Sequence, residues 1–191
     1  MNLPPLILAS ASPRRAELLQ KLEVEFKIVP GDATEVYDEQ LSPRELCQLN
    51  AHRKARAVAK KIPDALVLGA DTLVFLDRKI FGKPRDLTEA HEMLAQLQGR
   101  AHQVITGVCL LHLREHRERV FAVSTDVTFH PLNESQIREY HAKINPLDKA
   151  GAYAIQEHGA EIVSAISGSY SNVVGLPLEQ LKSELDLWSS R

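Results

Sequence analysis

The chain has only two cysteines, Cys47 and Cys109, and no CxxC pair. Isolated cysteines within apolar patterns are expected to be buried thiols in a reducing compartment, so no disulfide framework is predicted. No apolar run approaches the roughly 20 residues that cross a bilayer, and no basic region followed by an apolar run opens the sequence. These absences predict a cytoplasmic protein that has no membrane partner.

Aromatic residues and excess positive charge are also scarce. Aromatics make up 5% of the 191 residues, too few for a platform that stacks the bases of single-stranded nucleic acid. The formal net charge is −2, so no overall positive field attracts nucleic acid or anionic lipid. The patterns GxxxxGK[ST], GxGxxG, HExxH and GxSxG are missing. A polyanionic ligand would therefore need a local cluster of cations.

The apolar residues that are present predict a folded α/β protein, since they make up 44% of the chain. Apolar runs predict strands at residues 6–9, 26–29, 65–70, 102–114, 119–130, 151–155 and 161–166, with a hairpin that turns near Asp77. Capping residues predict helices that begin near Pro13, Pro43, Thr88, Asn133 and Leu178. This alternation favours a mixed β-sheet flanked by helices. We expect a single domain of residues 1–191, with residues 85–145 as a candidate smaller lobe.

A stretch rich in hydroxyls and arginines follows the first predicted strand. The segment "SASPRR" places four polar side chains around a helix start, namely those of Ser10, Ser12, Arg14 and Arg15. Backbone N–H groups and the positive end of the helix dipole favour a phosphate or carboxylate there. Arginines near this end oppose the dipole, and a bound anion would relieve that conflict. The alternative interpretation is an ordinary Ser-Pro cap with two solvated arginines.

Two carboxylates and two lysines are candidates for phosphate chemistry. Asp71, in "GADT", stands where a buried strand emerges, a position typical of catalytic or metal-binding carboxylates, although a turn-forming aspartate would look the same. Lys83 in "FGKPRD" could contact a phosphate, although a solvated lysine would look the same, and "HRKARA" places Lys54 on the second helix. Glu35, in "GDATE", joins Asp71 as an oxygen ligand suited to Mg²⁺ or Mn²⁺, with Asp32 as a competitor.

Gln156 is a candidate for reading a nucleobase. Its amide has both a donor and an acceptor, the two functions that a base edge requires. A surface glutamine would give the same pattern, so both interpretations stay open at this point.

Five segments taken together carry a family resemblance. They lie in order between Leu6 and Leu178, and read "LASASPRRAELL", "GADT", "GKPRD", "PLDKAGAYAIQ" and "GSYSNVVGLPL". This combination resembles the Maf proteins, cytoplasmic nucleoside triphosphate pyrophosphatases. The resemblance implies a Maf/ITPase-like α/β fold with two lobes around a central cleft, often in a homodimer.

The resemblance also implies a reaction and roles for particular residues. Family members hydrolyse a nucleoside triphosphate to the monophosphate and pyrophosphate with a divalent cation, here Mg²⁺ or Mn²⁺. Asp71 matches the family's proton acceptor, and Asp71 with Glu35 would hold the metal. Lys54 and Lys83 match further polar positions of the family site, next to the serines and arginines described above.

Three positions match the subgroup that acts on dTTP and UTP, namely Arg14, Thr72 and Gln156. A related subgroup, which prefers 7-methyl-GTP, has Gln after the aspartate and Glu in place of Gln156. The sequence therefore favours a dTTP/UTP pyrophosphatase. A 7-methyl-GTP or broader modified-nucleotide pyrophosphatase is the alternative enzyme, and a non-catalytic nucleotide-binding regulator of septum formation is the alternative of a different class.

Overall fold

A computed structural model describes residues 3–189, which form a seven-stranded open sheet flanked by helices. The strands are β1 (Leu6–Leu8), β2 (Phe26–Ile28), β3 (Leu66–Leu76), β4 (Lys79–Phe81), β5 (Ala101–His112), β6 (Arg117–Phe129) and β7 (Val163–Ser167). Their order is β2-β1-β3-β5-β6-β7, with β4 paired to β3. The β1 strand is parallel to β2 and β3, whereas β4 is antiparallel to β3 and β7 to β6. The predicted mixed α/β sheet is confirmed.

Six helices accompany the strands over the described residues. They are α1 (Pro13–Gln20), α2 (Pro43–Ala59), α3 (Leu87–Leu97), α4 (Glu134–His141), α5 (Tyr170–Val174) and α6 (Leu178–Ser189). Within residues 3–189, none of them is both long and apolar enough to cross a membrane.

Local capping explains where the longer helices begin. At the start of α2, Ser42 and Glu45 form a reciprocal capping box, and Asn133 and Gln136 do the same for α4. The α3 helix begins at Leu87 because the Asp86 side chain accepts the N–H of Glu89, one residue earlier than the predicted start at Thr88.

The strand predicted at residues 151–155 is wrong. Gly151 and Ala152 have φ angles of 70° and 62°, which a pleated strand does not allow, and the segment turns through a 3-10 helix at Ala150–Ala152. The Gly151 N–H donates to the Gly82 carbonyl at 3.0 Å. The segment is nevertheless buried from Gly151 to Ile155, so its apolar run has the same sequence pattern as a buried strand.

The chain divides into two compact units. The first comprises the described residues up to Asp71, then Thr106–Val123, then those from Gly175 on; the second comprises Thr72–Ile105 and Ser124–Val174. The first unit has a core in which α2 packs on the sheet through small residues such as Ala51, Ala55 and Val58. The core of the second unit includes Phe81, Leu94, Phe129 and Tyr140. The prediction of a single domain with a smaller lobe at residues 85–145 stays a prediction.

Two glycines allow α2 to lie directly on the sheet. A Cβ atom on Gly69 of β3 would lie 2.3 Å from the Ala51 carbonyl oxygen and 2.8 Å from the Ala55 nitrogen. A Cβ on Gly107 of β5 would lie 2.4 Å from the Cys47 carbonyl oxygen. These obstacles are backbone atoms, so neither contact can be relieved by a side-chain rotation. Glycine at both positions therefore sets how closely the helix approaches.

Substitution of Gly69 by Ala should destabilise the protein by at least about 1–3 kcal/mol, because α2 must move away from β3 to admit the methyl group. Chemical denaturation measures the loss. The matched control is Gly159→Ala, where the nearest atom to the new Cβ is Ile155 Cβ at 3.5 Å. Equal stability of the two variants would show that α2 is not held at this distance.

His102 is a buried histidine of the second unit, with 3% of its surface exposed. Its ring lies edge-on to Phe129, and its Nε2 atom is 2.8 Å from the Tyr153 hydroxyl. Burial lowers the pKa of His102 from 6.5 to about 4. The unfolded chain therefore binds a proton that the folded chain refuses, so stability should fall as the pH drops from about 6.5 towards 4, by up to about 3 kcal/mol from this group. Urea denaturation at pH 7 and pH 4.5 should show a smaller difference for His102→Phe than for the wild type. An unchanged difference would contradict the assignment, whatever the absolute stability of the variant.

Candidate active site

Asp71 lies in β3 with only 4% of its surface exposed. A buried carboxylate is costly unless it is paired and hydrogen-bonded. The ammonium of Lys54, on α2, donates to Asp71 Oδ1 at 2.6 Å, and the amide of Asn50 lies 3.4 Å from Oδ2. Both oxygens of the carboxylate therefore have a donor from the same helix.

Lys54 also joins a second carboxylate to this cluster. Its ammonium donates to Glu35 Oε1 at 2.7 Å. One cation therefore bridges Glu35 and Asp71, which are distant from each other in the sequence. Burial raises the pKa of Asp71; the charge of Lys54 acts against this shift, and the negative charge of Glu35 adds to it. With Lys54 charged and both acids ionised, these three groups alone carry a net charge of one negative unit.

The competing carboxylate, Asp32, lies elsewhere. It accepts a hydrogen bond from Lys61 at 3.2 Å, and both side chains of that pair are exposed. Of the two acids in "GDATE", Glu35 is the one that contacts Lys54.

The predicted anion-binding stretch lies in the same unit. Ser12 precedes α1 without a side-chain capping bond, and its N–H donates to Ser10 Oγ at 3.2 Å. Arg15 donates to Ser10 Oγ at 3.3 Å and to the Gly175 carbonyl at 2.9 Å. Arg14 is half-buried in the first turn of α1, which has no acidic residue there.

Arg15 connects this stretch to the carboxylates electrostatically. Burial lowers the pKa of Arg15, and the charge of Asp71 acts against that shift. The reciprocal effect of Arg15 on Asp71 favours the ionised carboxylate. The structure therefore brings Ser10, Arg15, Glu35, Lys54 and Asp71 into one charged neighbourhood.

The other predicted site residues belong to the second unit. Thr72 is half-buried and directly follows Asp71 on β3. Lys83 is exposed in the segment between β4 and α3. Gln156 is exposed just after the buried run that ends at Ile155.

Sequence reasoning missed Asn50. Its side-chain oxygen accepts the Val36 N–H at 2.8 Å, and its NH₂ group donates to the Val36 carbonyl at 3.1 Å as well as approaching Asp71. The available signal was an asparagine on the buried face of α2, where its neighbours Leu46 and Ala51 are apolar. A polar residue within such a stripe indicates a buried hydrogen-bonding role.

Substitution of Lys54 by Met should lower the free energy of unfolding by about 3 kcal/mol, because two acids then lose their shared cation, one of them buried. Urea denaturation at pH 7 measures the effect. Lys61→Met is the matched control, since it removes a lysine whose partner Asp32 is almost fully exposed, and it should cause no measurable loss. A Lys54→Met variant as stable as this control would rule out a structural role for the bridge.

Comparison with known proteins identifies the family of the chain. Residues 5–188 match a family model described as Maf-like protein. The dTTP/UTP pyrophosphatase of Akkermansia muciniphila is 46% identical over 179 residues, covering 94% of each chain. The dTTP/UTP pyrophosphatase of Moorella thermoacetica is 48% identical over 188 residues, covering 96% of this chain and 97% of the relative.

A solved structure supports the fold assignment. The Ham1 protein of Staphylococcus aureus matches with a TM-score of 0.53 over 95% of this chain and 98% of its own. Its 14% sequence identity means that this likeness concerns the fold alone, and it agrees with the expected Maf/ITPase-like α/β architecture. Because the family model spans nearly the whole chain and the relatives match at 46% and 48% identity, the chain belongs to the Maf-like protein family.

Proposed function

We propose that this protein hydrolyses dTTP and UTP to the nucleoside monophosphate and pyrophosphate. The observation that carries the proposal is the buried Asp71 carboxylate, bridged by Lys54 to Glu35, in the same unit as the start of α1 and Arg15. The names of the relatives supply the reaction and the nucleotides.

A divalent cation fits the residues that are present. Glu35 and Asp71 direct carboxylate oxygens at one position, now taken by the Lys54 ammonium. Among residues 3–189 no group of three or more His, Cys, Asp or Glu side chains is arranged to hold a metal. Two carboxylates with water and substrate phosphate as further ligands are the usual surroundings of Mg²⁺, and Mn²⁺ accepts the same donors. When bound, such a cation neutralises phosphate charge and lowers the pKa of a coordinated water.

Asp71 is proposed as the proton acceptor. Its raised pKa makes the ionised carboxylate a stronger base than an exposed aspartate, while the neighbouring cations Lys54 and Arg15 keep it ionised. The attacking water loses a proton to Asp71 as its oxygen bonds to the α-phosphorus. The bond from the α-phosphorus to the bridging oxygen breaks, and that oxygen leaves as part of pyrophosphate.

The remaining residues are proposed to position the charged substrate. Phosphoryl transfer requires mainly orientation and charge stabilisation. The N–H groups at the start of α1, with Ser10, Ser12 and Arg14, suit phosphate oxygens, and Arg15 and Lys83 would add positive charge.

Recognition of the base is proposed to fall to two residues of the second unit. Thr72 and Gln156 are assigned to the pyrimidine edge because they match the dTTP/UTP subgroup, which Arg14 also matches. Cytoplasmic location and a homodimer stay predictions.

Replacement of Asp71 by Asn should lower kcat by about 10²- to 10⁴-fold, because the amide cannot accept the proton. The measurement offers dTTP, UTP, the other common triphosphates and 7-methyl-GTP with Mg²⁺, and resolves pyrophosphate from orthophosphate. The wild type should release pyrophosphate from dTTP and UTP. Lys61→Met, at the exposed pair with Asp32, is the control and should keep full activity.

Each other result has a definite meaning. Orthophosphate as the first product would place cleavage at the wrong phosphorus. Preference for 7-methyl-GTP would favour the alternative enzyme. Retained pyrophosphate release by Asp71→Asn would remove the catalytic assignment, and nucleotide binding without any hydrolysis by the wild type would favour a regulator.

A further inference from the structure

Asn50 connects Asp71 to the backbone segment that carries Glu35, without involving Lys54. It is 1% exposed, on the face of α2 that packs against the sheet. Its amide makes contacts of 2.8 and 3.1 Å with the N–H and the carbonyl of Val36, and a contact of 3.4 Å with Asp71 Oδ2. Val36 directly follows Glu35, so one side chain reaches the segment that carries the first acid and also the second acid itself.

The orientation of this amide is fixed by chemistry. The Val36 N–H can only donate, and the Val36 carbonyl can only accept. The oxygen of Asn50 must therefore face the N–H and its NH₂ group the carbonyl, since a flipped amide would place donor against donor. It follows that the hydrogens beside Asp71 belong to the NH₂ group. Lys54 on Oδ1 and Asn50 on Oδ2 then determine the plane of the Asp71 carboxylate.

The segment that carries Glu35 needs such a contact. Residues 29–42, between β2 and α2, contain no helix or strand. By bonding both backbone polar groups of Val36, Asn50 supplies the hydrogen bonds that a neighbouring strand would otherwise provide. Loss of Asn50 would remove two hydrogen bonds that hold the backbone next to Glu35.

Packing alone does not require asparagine at this position. Neighbouring positions on the buried face of α2 hold Leu46, Cys47 and Ala51, all fully buried, so an apolar side chain suits the packing. A buried amide offers no advantage over leucine unless its hydrogen bonds serve a purpose. The side-chain hydrogen bonds of Asn50 lead to Asp71 and to the backbone of Val36, the residue next to Glu35.

We infer that Asn50 is a positioning residue that holds Glu35 and Asp71 in the arrangement that binds the divalent cation. This inference rests on the proposed function for the role of the cation. It deepens that proposal by adding a residue that orients the two carboxylates. Loss of a partner that orients metal ligands costs about 10- to 100-fold in metal affinity or activity.

The experiment compares Asn50→Leu and Asn50→Ala with Val58→Ala. Val58 is fully buried on the same helix and belongs to the core of the first unit, so its truncation should cost stability without contacting the carboxylates. The first readout is binding of Mn²⁺ to the nucleotide-free protein. It is measured from the electron paramagnetic resonance signal of the Mn²⁺ that remains free. The second is kcat and KM for dTTP at saturating Mn²⁺. Thermal unfolding of each variant shows whether it is folded.

Asn50→Leu should weaken Mn²⁺ binding by about 10- to 100-fold and lower kcat by at least about tenfold, with KM changed much less. Asn50→Ala, which leaves room for a water, should show the same effects to a smaller degree. Val58→Ala should bind Mn²⁺ like the wild type even where its melting temperature is lower. Asn50 variants that match Val58→Ala in both readouts would overturn the inference.

The design separates the two proposals. A wild type that binds Mn²⁺ but releases no pyrophosphate from dTTP or UTP would refute the proposed function. The difference in Mn²⁺ binding between Asn50→Leu and Val58→Ala would still support the positioning role. Normal pyrophosphate release by every variant would instead leave the proposed function in place and remove the role of Asn50.

Discussion

The candidate site depends on the close packing of helix α2 against strand β3. Gly69 offers no side chain, so the backbone at Ala51 and Ala55 approaches the strand closely. Asp71 lies two positions further along β3 and points to the same side, because side chains alternate along a strand. Asn50 and Lys54 each precede one of the contacting alanines. The position at which the helix backbone contacts the strand therefore places the Asn50 amide and the Lys54 ammonium beside Asp71.

Because α2 lies so close to β3, the Asp71 carboxylate is buried among charged side chains, which an apolar core would not contain. Burial raises the pKa of Asp71, which costs stability but makes the carboxylate a better base. Lys54 and Arg15 restore the ionised form, and Glu35 opposes it. One ammonium shared between two acids stabilises the fold. Carboxylates beside Arg15 and the N–H groups of α1 are an arrangement that suits a cation and a polyphosphate together.

Much of the local structure was predictable because its causes lie within a few residues. The capping boxes at Ser42 and Asn133 start α2 and α4 as expected, since a cap and its partner are three positions apart. The error at residues 151–155 has the opposite origin. The apolar run of that segment has the pattern of a strand, while the left-handed φ angles of Gly151 and Ala152 lie outside the strand region.

The sequence by itself determined the α/β class, the family, the candidate residues and, to within one residue, the starts of five helices, but it did not predict α5. Tertiary structure decided that Glu35 and not Asp32 meets Lys54, and that Asn50 reaches both Val36 and Asp71. The reason is that hydrogen-bonding rules and hydrophobic periodicity act over a few positions. The meeting of a loop, a helix and a strand depends instead on how closely their backbones can pack, and here two glycines set that distance.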